Sequence, residues 1–466
     1  MKRLFPFLVL GVLAGCSRFQ PRPLSPGESA AQLEGRALTN EPLRTFLETN
    51  LHRPFISWPA PAWDFDMLTL AAFYYHPSLE VARAEWRTAQ GAIKTAGGRL
   101  NPSVSVTPAY DYGIPGNYSP WLPLITFDIP IETAGKRRRR IEQAQFLSES
   151  ARLNIATAAW QVRSELRSSL LDFVAAQQRA QILERQVALQ KDIRARLEQQ
   201  LQAGAIATAE ITAARVALAK VSVDLADAQS QSAEARARVA EAVGVPVSAL
   251  NRIVLNFDLS STSSTDLITS TEARRAALQG RSDILAGLAD YAASQAALQL
   301  EIARQYPDVH LSPGYSWNQG SAGDSQWQLG ITVELPVLNR NQGPIAEAEA
   351  RRAASAARFL ALQARVIGQI DRSFAVYEAS SKSLSSLGTL AAAQKALHQS
   401  TQAQYQAGAA DQLELLSSEL ELNTASLAQL GAQAKLQQAI GALEDAVQRP
   451  LELPQAIFQS SSIKAK

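Results

Sequence analysis

The chain has 466 residues, and only 7% of them are aromatic. Its 45 basic and 43 acidic residues nearly balance, which excludes the strongly basic surface that nucleic-acid binding needs. Helix-forming residues dominate, so the composition favours long helices around a thin core rather than two or three ordinary globular domains.

The N-terminus has the pattern of a bacterial export signal. A basic pair is followed by an apolar run over 4–13, which is too short to span a bilayer. The only cysteine, Cys16, comes directly after Leu-Ala-Gly, and this tetrapeptide resembles a lipobox. We therefore predict a signal peptide over 1–15 and lipid attachment at Cys16. The alternative is a buried structural cysteine.

Residues 16–63 are rich in proline, which predicts an extended tether. A helical pattern begins at Asp64, a plausible N-cap, and runs with a break at His76 to about Gly97. Residues 251–270 are rich in serine and threonine and have no periodicity, so we predict an equatorial connector there and a C-terminal tail over 451–466.

Two segments, 102–131 and 307–337, alternate between apolar and polar residues as β-hairpins do. Their strands have tyrosine and tryptophan near the ends, which is typical of outer-membrane barrel strands. A soluble hairpin packed on a helix is the alternative. Four strands cannot close a barrel, because roughly eight are needed. Since an open edge is not viable in lipid, the sequence predicts an oligomer.

Each hairpin is followed by a long helix and a returning helix. The first long helix, predicted over 133–203, would span on the order of 100 Å. Its return helix is predicted over 207–245, and the second pair over 342–407 and 411–449. Apolar residues three or four apart, such as Leu362, Val366 and Ile370, predict antiparallel coiled-coil packing.

The chain repeats this arrangement once. Proline and glycine residues at element ends recur 204 to 206 residues apart, in the pairs Pro102 and Pro307, Pro130 and Pro336, Gly204 and Gly408, and Pro246 and Pro450. Such steady offsets indicate two tandem copies of one architecture, over 64–250 and 271–450.

The whole pattern resembles the TolC-type outer-membrane efflux family. Residues 135–137 (GKR) and 335–343 (LPVLNRNQG) particularly resemble its heavy-metal resistance branch. The resemblance implies a mainly α fold with a membrane β-barrel portion: a homotrimer with a twelve-stranded outer-membrane barrel above a periplasmic α-barrel. It also implies a passive exit duct that docks to a periplasmic adaptor and an inner-membrane RND-type pump.

Two other functions use the same features. One is a lipid-anchored periplasmic coiled-coil scaffold without a pore, and the other is the outer-membrane component of a type I protein export system. No P-loop, dinucleotide glycine pattern or nucleophile elbow occurs, so an enzyme is not predicted. The four histidines are scattered without metal-ligand spacing, and we predict no cofactor or bound metal.

Acidic residues mark the predicted helix-to-helix turns. Glu210 and Glu414 lie six residues after Gly204 and Gly408, and Asp411 lies nearby. The family often has a second acid three residues further on, but alanine and serine occupy those positions here. In an oligomer these carboxylates would form rings of like charge, as in a cation-sensitive periplasmic gate. The alternative is that each is a solvated carboxylate near a helix start, where the dipole favours it.

Charged residues also occur on the predicted strands and at the start of the first long helix. Asp111, Asp128 and Glu334 fall on the polar strand face, where they would favour cations or simply wet the lumen. The run from Lys136 through Arg137, Arg138 and Arg139 to Arg140 lies at a helix N-terminus, where positive charge is disfavoured. We predict that these residues contact outer-membrane lipid phosphates; a solvated basic face is the alternative.

Overall fold

A computed structural model describes residues 19–110, 112–113, 120–251, 253–260, 270–317 and 325–450. Cys16 and Asp111 lie outside these residues. So do the predicted signal peptide, the C-terminal tail and half of the predicted connector, residues 252 and 261–269.

After two N-terminal helices that have no counterpart in the second half, two helices, two strands and two long helices follow in the same order in both halves. The helices of the first half are α1 (Pro26–Glu34), α2 (Glu41–Leu51), α3 (Phe65–Tyr75), α4 (Pro77–Ala96), α5 (Lys136–Gln202) and α6 (Thr208–Val243). Those of the second are α7 (Ser270–Gly280), α8 (Ser282–Ala303), α9 (Gln342–Gln406) and α10 (Gln412–Val447). The strands are β1 (Ala62–Trp63), β2 (Ser103–Tyr110), β3 (Trp121–Ile131), β4 (Val254–Leu255), β5 (Val309–Ser316) and β6 (Gln326–Val333).

The long helices form one elongated layer. Helix α5 has 67 residues and α9 has 65, and the return helices α6 and α10 have 36 each. At 1.5 Å per residue, α5 and α9 are each about 100 Å long. Helix α5 packs against α4 and α6 on one side and against α8 and α10 on the other, and α9 lies beyond α8 and α10. The layer therefore has two edges, α4 with α6 at one and α9 at the other.

None of the helices within the described ranges combines the length and the apolar character that crossing a lipid bilayer requires.

The strands β2, β3, β5 and β6 form one antiparallel sheet in that order. Its register agrees with the predicted alternation, because Val106, Ile125, Tyr315 and Trp327 belong to paired positions on one face. That face stays open in the single chain, where Trp327 is 80% exposed. Among the described residues, β2 and β6 are each paired on one side only, so both edges of the sheet are free.

The N-terminal segment is more structured than predicted. The extended tether predicted over 16–63 is wrong for 26–51, which contains α1 and α2. The reason is that Pro26 and Pro42 occupy the first turns of these helices, where proline needs no N–H donor. Leu43 and Leu47 of α2 are fully buried in the same core as Leu68 of α3.

A buried ion cluster joins the two halves. Arg163 and Arg167 of α5 both donate from Nη1 to Glu444 Oε2 of α10, at 2.9 and 2.6 Å. The guanidinium of Arg163 also lies 4.9 Å from the centre of the Phe65 ring. The three charged side chains are at most 9% exposed, so their mutual pairing replaces the water that they lose.

We expect Glu444→Gln to destabilise the protein by on the order of 3 kcal/mol, because two buried guanidinium groups would lose the carboxylate between them. The measurement is the thermal midpoint of the detergent-purified protein. Glu421→Gln, an exposed position on the same helix, is the control and should leave the midpoint unchanged. Equal midpoints for both variants would contradict a stabilising role for the cluster.

Candidate gate, lumen face and basic rim

The turns between the long helices and their return helices have the same geometry in both halves. Gly204 and Gly408 adopt φ values of +74° and +76°, which favour glycine. The next N–H in each turn, at Ala205 and Ala409, bonds back to the carbonyl five residues earlier, at 2.9 and 2.8 Å. These tight turns end the rods abruptly, so the acidic residues that follow lie at the extreme tip of the layer.

The acidic residues at this tip act as helix caps in the single chain. Asp411 Oδ1 accepts from the N–H of Glu414 at 2.7 Å, and Glu414 Oε2 accepts from the N–H of Asp411 at 3.0 Å. This reciprocal capping box starts α10. In the first half Ala207 replaces the aspartate, so the Glu210 N–H donates to the Ala207 carbonyl at 3.1 Å, and the Ala207 N–H contacts Glu210 Oε1 at 3.5 Å. All three carboxylates stay exposed.

On the polar face of the sheet, an aspartate and a histidine from neighbouring strands lie in contact. Asp128 of β3 lies diagonally opposite His310 of β5, and His310 Nδ1 is 3.0 Å from Asp128 Oδ2. Ser103 pairs with Asp128 and Thr332 pairs with His310, so the polar row continues to both edge strands. Glu334 is exposed and lies just beyond the end of β6.

Most of the basic run at the start of α5 has partners inside the chain. Lys136 is buried, and its Nζ lies 2.7 Å from Asp308 Oδ1, which also accepts from the Thr133 N–H at 2.9 Å. Arg140 pairs with Glu132, and Arg139 pairs with Glu142 at 2.8 Å.

The remaining two basic residues, Arg137 and Arg138, are both exposed. Arg137 donates to the carbonyl of Gly97 at 2.7 Å. Lys136, by contrast, is buried, and a carboxylate from the second half offsets its charge at the helix start.

The pKa of Asp308 reflects this environment. Partial burial acts to raise the pKa of the carboxyl, but the hydrogen bonds from Lys136 and from the Thr133 N–H outweigh burial together, and the pKa is lowered from 3.8. The ionised form is therefore favoured in the folded protein, and this contact stabilises the joint between the sheet and α5.

A polar cavity lies between the long helices. It has a volume of about 820 Å³ and is bounded by α5, α9 and the end of α10. Arg365 and Arg372 of α9 face it, together with Asp445 of α10. Burial raises the pKa of Asp445, while the hydrogen bond from Ser164 opposes that rise. Across the described residues no three histidine, cysteine or acidic side chains group as a metal site.

The family model for outer membrane efflux proteins matches residues 72–245 and 273–447. The chain belongs to the outer membrane efflux protein family. One match lies in each half of the chain, and the gap between them contains the predicted connector.

Individual relatives of this efflux protein agree with the assignment. The chain is 28% identical over 221 residues to the cobalt-zinc-cadmium resistance protein CzcC of Cupriavidus metallidurans, a match to 46% of this chain and 50% of the relative. The match thus spans only half the length of that curated relative.

Two solved structures have the same fold. The outer-membrane channel OprN superposes with a TM-score of 0.69 at 21% identity, over 93% of this chain and 98% of OprN. The outer membrane protein VceC of Vibrio cholerae gives a TM-score of 0.67 at 19% identity, over 83% of this chain and 97% of VceC.

Several polar residues of the efflux protein were not singled out from the sequence. The periodicity of the helices indicates on which helix face Arg163, Arg167 and Glu444 lie. No local sequence motif indicates that these residues pair with each other. Asp308 and His310 were not chosen as site residues either. Asp308 and His310 can be identified only from the pairing of β3 with β5, which joins the two halves of the chain.

We expect Asp308→Asn to destabilise the efflux protein by on the order of 2 kcal/mol at neutral pH, because Lys136 would stay buried without its counter-charge. Since the folded-state pKa of Asp308 is lowered from 3.8, its stabilisation is present above that value and is lost as pH falls through the lowered pKa. The difference between variant and wild type should therefore shrink on acidification.

The measurement is the thermal midpoint of each protein from pH 7 down to pH 3. Glu142→Gln, which breaks the more exposed pair with Arg139, is the control and should change the midpoint little at any pH. A constant difference across the pH range would contradict a role for the ionised carboxylate.

Proposed function

We propose that this efflux protein is the passive exit duct of a tripartite efflux system in the outer membrane. The observation that carries the proposal is the four-stranded sheet, which has one exposed apolar face and two free edges and is continuous with helices of 67 and 65 residues. A sheet of this kind suits lipid on one side and water on the other. The long helices then extend the duct into the periplasm.

Closure of the duct requires more than one copy. Backbone groups at a strand edge cannot stay unpaired in hydrocarbon, so β6 of one copy would pair with β2 of the next. Three copies of a four-stranded sheet give a closed barrel of twelve strands, with the apolar face outward. The helical layer would close in the same way, with α9 of one copy against α4 and α6 of the next. This is the homotrimer that we propose.

The cargo that we propose is a divalent metal cation. The support is the match to the cobalt-zinc-cadmium resistance protein over half of its length. The partners would be a periplasmic adaptor and an inner-membrane RND-type pump, which supply the energy that a passive duct lacks. The tip, where the rods turn at Gly204 and Gly408, is the surface that we assign to adaptor docking.

The tip is also the proposed gate. In a trimer the exposed carboxylates of Glu210, Asp411 and Glu414 would come together as rings of like charge, which bound cations or hydration must offset. Such a ring favours a closed state in the presence of divalent cations and opens when the helix tips separate.

The test of the duct is planar-bilayer conductance of the detergent-purified, lipidated protein, with its oligomeric mass determined in parallel. We expect a trimeric mass and discrete conductance steps. A protein that stays soluble without detergent, or that never conducts, would instead favour the pore-free periplasmic scaffold.

The gate is tested in the same bilayers with the double variant Glu210→Gln and Glu414→Gln. Glutamine preserves the capping hydrogen bonds while removing the charge, so helix starts stay intact. We expect larger open probability and block by divalent cations that is weakened at least several-fold. Gln412→Glu, which adds a charge beside the ring, is the reverse control and should strengthen the block. Unchanged block in both would remove the gate assignment.

Two lipid contacts complete the proposal. Cys16 would carry the acyl anchor, and acyl-chain labelling in a Gram-negative host tests this directly. Arg137 and Arg138, the exposed members of the basic run, would contact lipid phosphates at the periplasmic rim of the barrel. We expect Arg138→Gln to retain less anionic lipid in native mass spectra than Arg152→Gln, a control further along the same helix. Equal lipid retention would refute the contact.

A further inference from the structure

The contact between Asp128 and His310 is too exposed for a stabilising role to explain it. Both side chains are about two-fifths exposed, at 40% and 41%. Even where both partners are charged, contacts this exposed stabilise proteins by only roughly 0 to 1 kcal/mol, so the pair adds little to the sheet. The neighbouring acid, Asp308, is already held by Lys136 and Thr133. Asp128 is thus the carboxylate that orients the imidazole.

The contact fixes which nitrogen of His310 can bind a ligand. Both oxygens of Asp128 lie near Nδ1, at 3.0 and 3.1 Å. An ionised carboxylate only accepts hydrogen bonds, so Nδ1 must carry the proton. In the neutral imidazole the lone pair is then on Nε2, the nitrogen that points away from the carboxylate. A carboxylate that holds the far nitrogen of a histidine is the usual support of a metal-binding imidazole.

We propose that His310, oriented by Asp128, is a transit ligand for divalent transition-metal cations on the polar face of the sheet. Imidazole nitrogen suits zinc, copper and cobalt ions rather than calcium or magnesium. The inference rests on the proposed duct, in which this face lines the lumen and three copies place three such ligands at one level.

The surroundings of the pair fit a transit site better than a storage site. Ser103 and Thr332 continue the polar row on either side of the pair, and they offer hydroxyl groups to the water shell of a bound ion. One nitrogen ligand with water in the remaining positions binds weakly. Conduction requires this, because an ion must be attracted into the lumen and still leave it.

The test is binding of Cu²⁺ to the tag-free, detergent-purified protein, followed by electron paramagnetic resonance and titration at neutral pH. In wild type we expect a nitrogen-coordinated copper signal that His310→Gln removes, with at least tenfold weaker binding. Glutamine can still donate an N–H to Asp128, so the strand contact is kept. Asp128→Asn should weaken binding by about tenfold, because it leaves the imidazole unsupported.

The matched control is His398→Gln. His398 is also partly buried and has its Nδ1 3.0 Å from the hydroxyl of Ser418, but no carboxylate supports it. The His398→Gln variant should bind copper as tightly as the wild-type protein does. The proposal is overturned if His310→Gln titrates like wild type, or if His398→Gln lowers binding as much.

Conductance measured on the same preparations separates this proposal from the duct. In channels that carry Glu210→Gln and Glu414→Gln, which remove the proposed cation block at the tip, we expect added Zn²⁺ to reduce the current, and the further change His310→Gln to lose at least tenfold in sensitivity. A protein that conducts but shows no His310-dependent copper signal keeps the duct and loses the metal ligand. A protein that binds copper through His310 but never conducts keeps the ligand and loses the duct.

Discussion

The free edges of the four-stranded sheet are the constraint on which the rest of the structure depends. Backbone N–H and C=O groups have no water to bond in a hydrocarbon layer, so an edge there must be paired. Within the described residues β2 and β6 each lack a partner on one side. Pairing them with further copies fixes which face meets lipid, because side chains alternate along each strand. In the proposed barrel, Asp128 and His310 would lie on the aqueous side.

Ion pairs between the sheet region and the start of α5 link the position of the sheet to that of the helical layer. Helix α5 starts with a run of cations, and carboxylates on the strands and on the first helical turns offset them. Asp308 at the start of β5 holds Lys136, and Glu132 at the end of β3 holds Arg140. The second half of the chain thus anchors the rod of the first half. Further along α5, Arg163 and Arg167 pair in the same way with Glu444 of α10.

The sequence predicted the features that depend on local spacing. The alternation of the strands and the long helices follow from residues a few positions apart, and the structure has an antiparallel sheet and long helices in these segments. The capping box at Asp411 and Glu414 was not predicted. The extended tether inferred from proline content is wrong over 26–51, because Pro26 and Pro42 lie in the first turns of helices. The contacts that join the halves were out of reach. Arg163 and Glu444 are separated by 281 residues and Asp128 and His310 by 182, and no periodicity reports such pairs.

At the tip, the side chains that cap α10 are also those of the proposed gate. Asp411 and Glu414 hold each other across the first turn of α10, at 2.7 and 3.0 Å. Their charges are therefore tied to the helix end, where the dipole also stabilises them. Repulsion between such charges in a ring would act on the backbone rather than be relieved by side-chain rotation. At Glu210 the box is incomplete, since Ala207 has no side-chain acceptor: the Glu210 N–H donates to the Ala207 carbonyl at 3.1 Å, and the contact between the Ala207 N–H and Glu210 Oε1 is longer, at 3.5 Å. In the proposed trimer, a charged ring built on α10 would therefore exert more force on the helix tips than one built on α6.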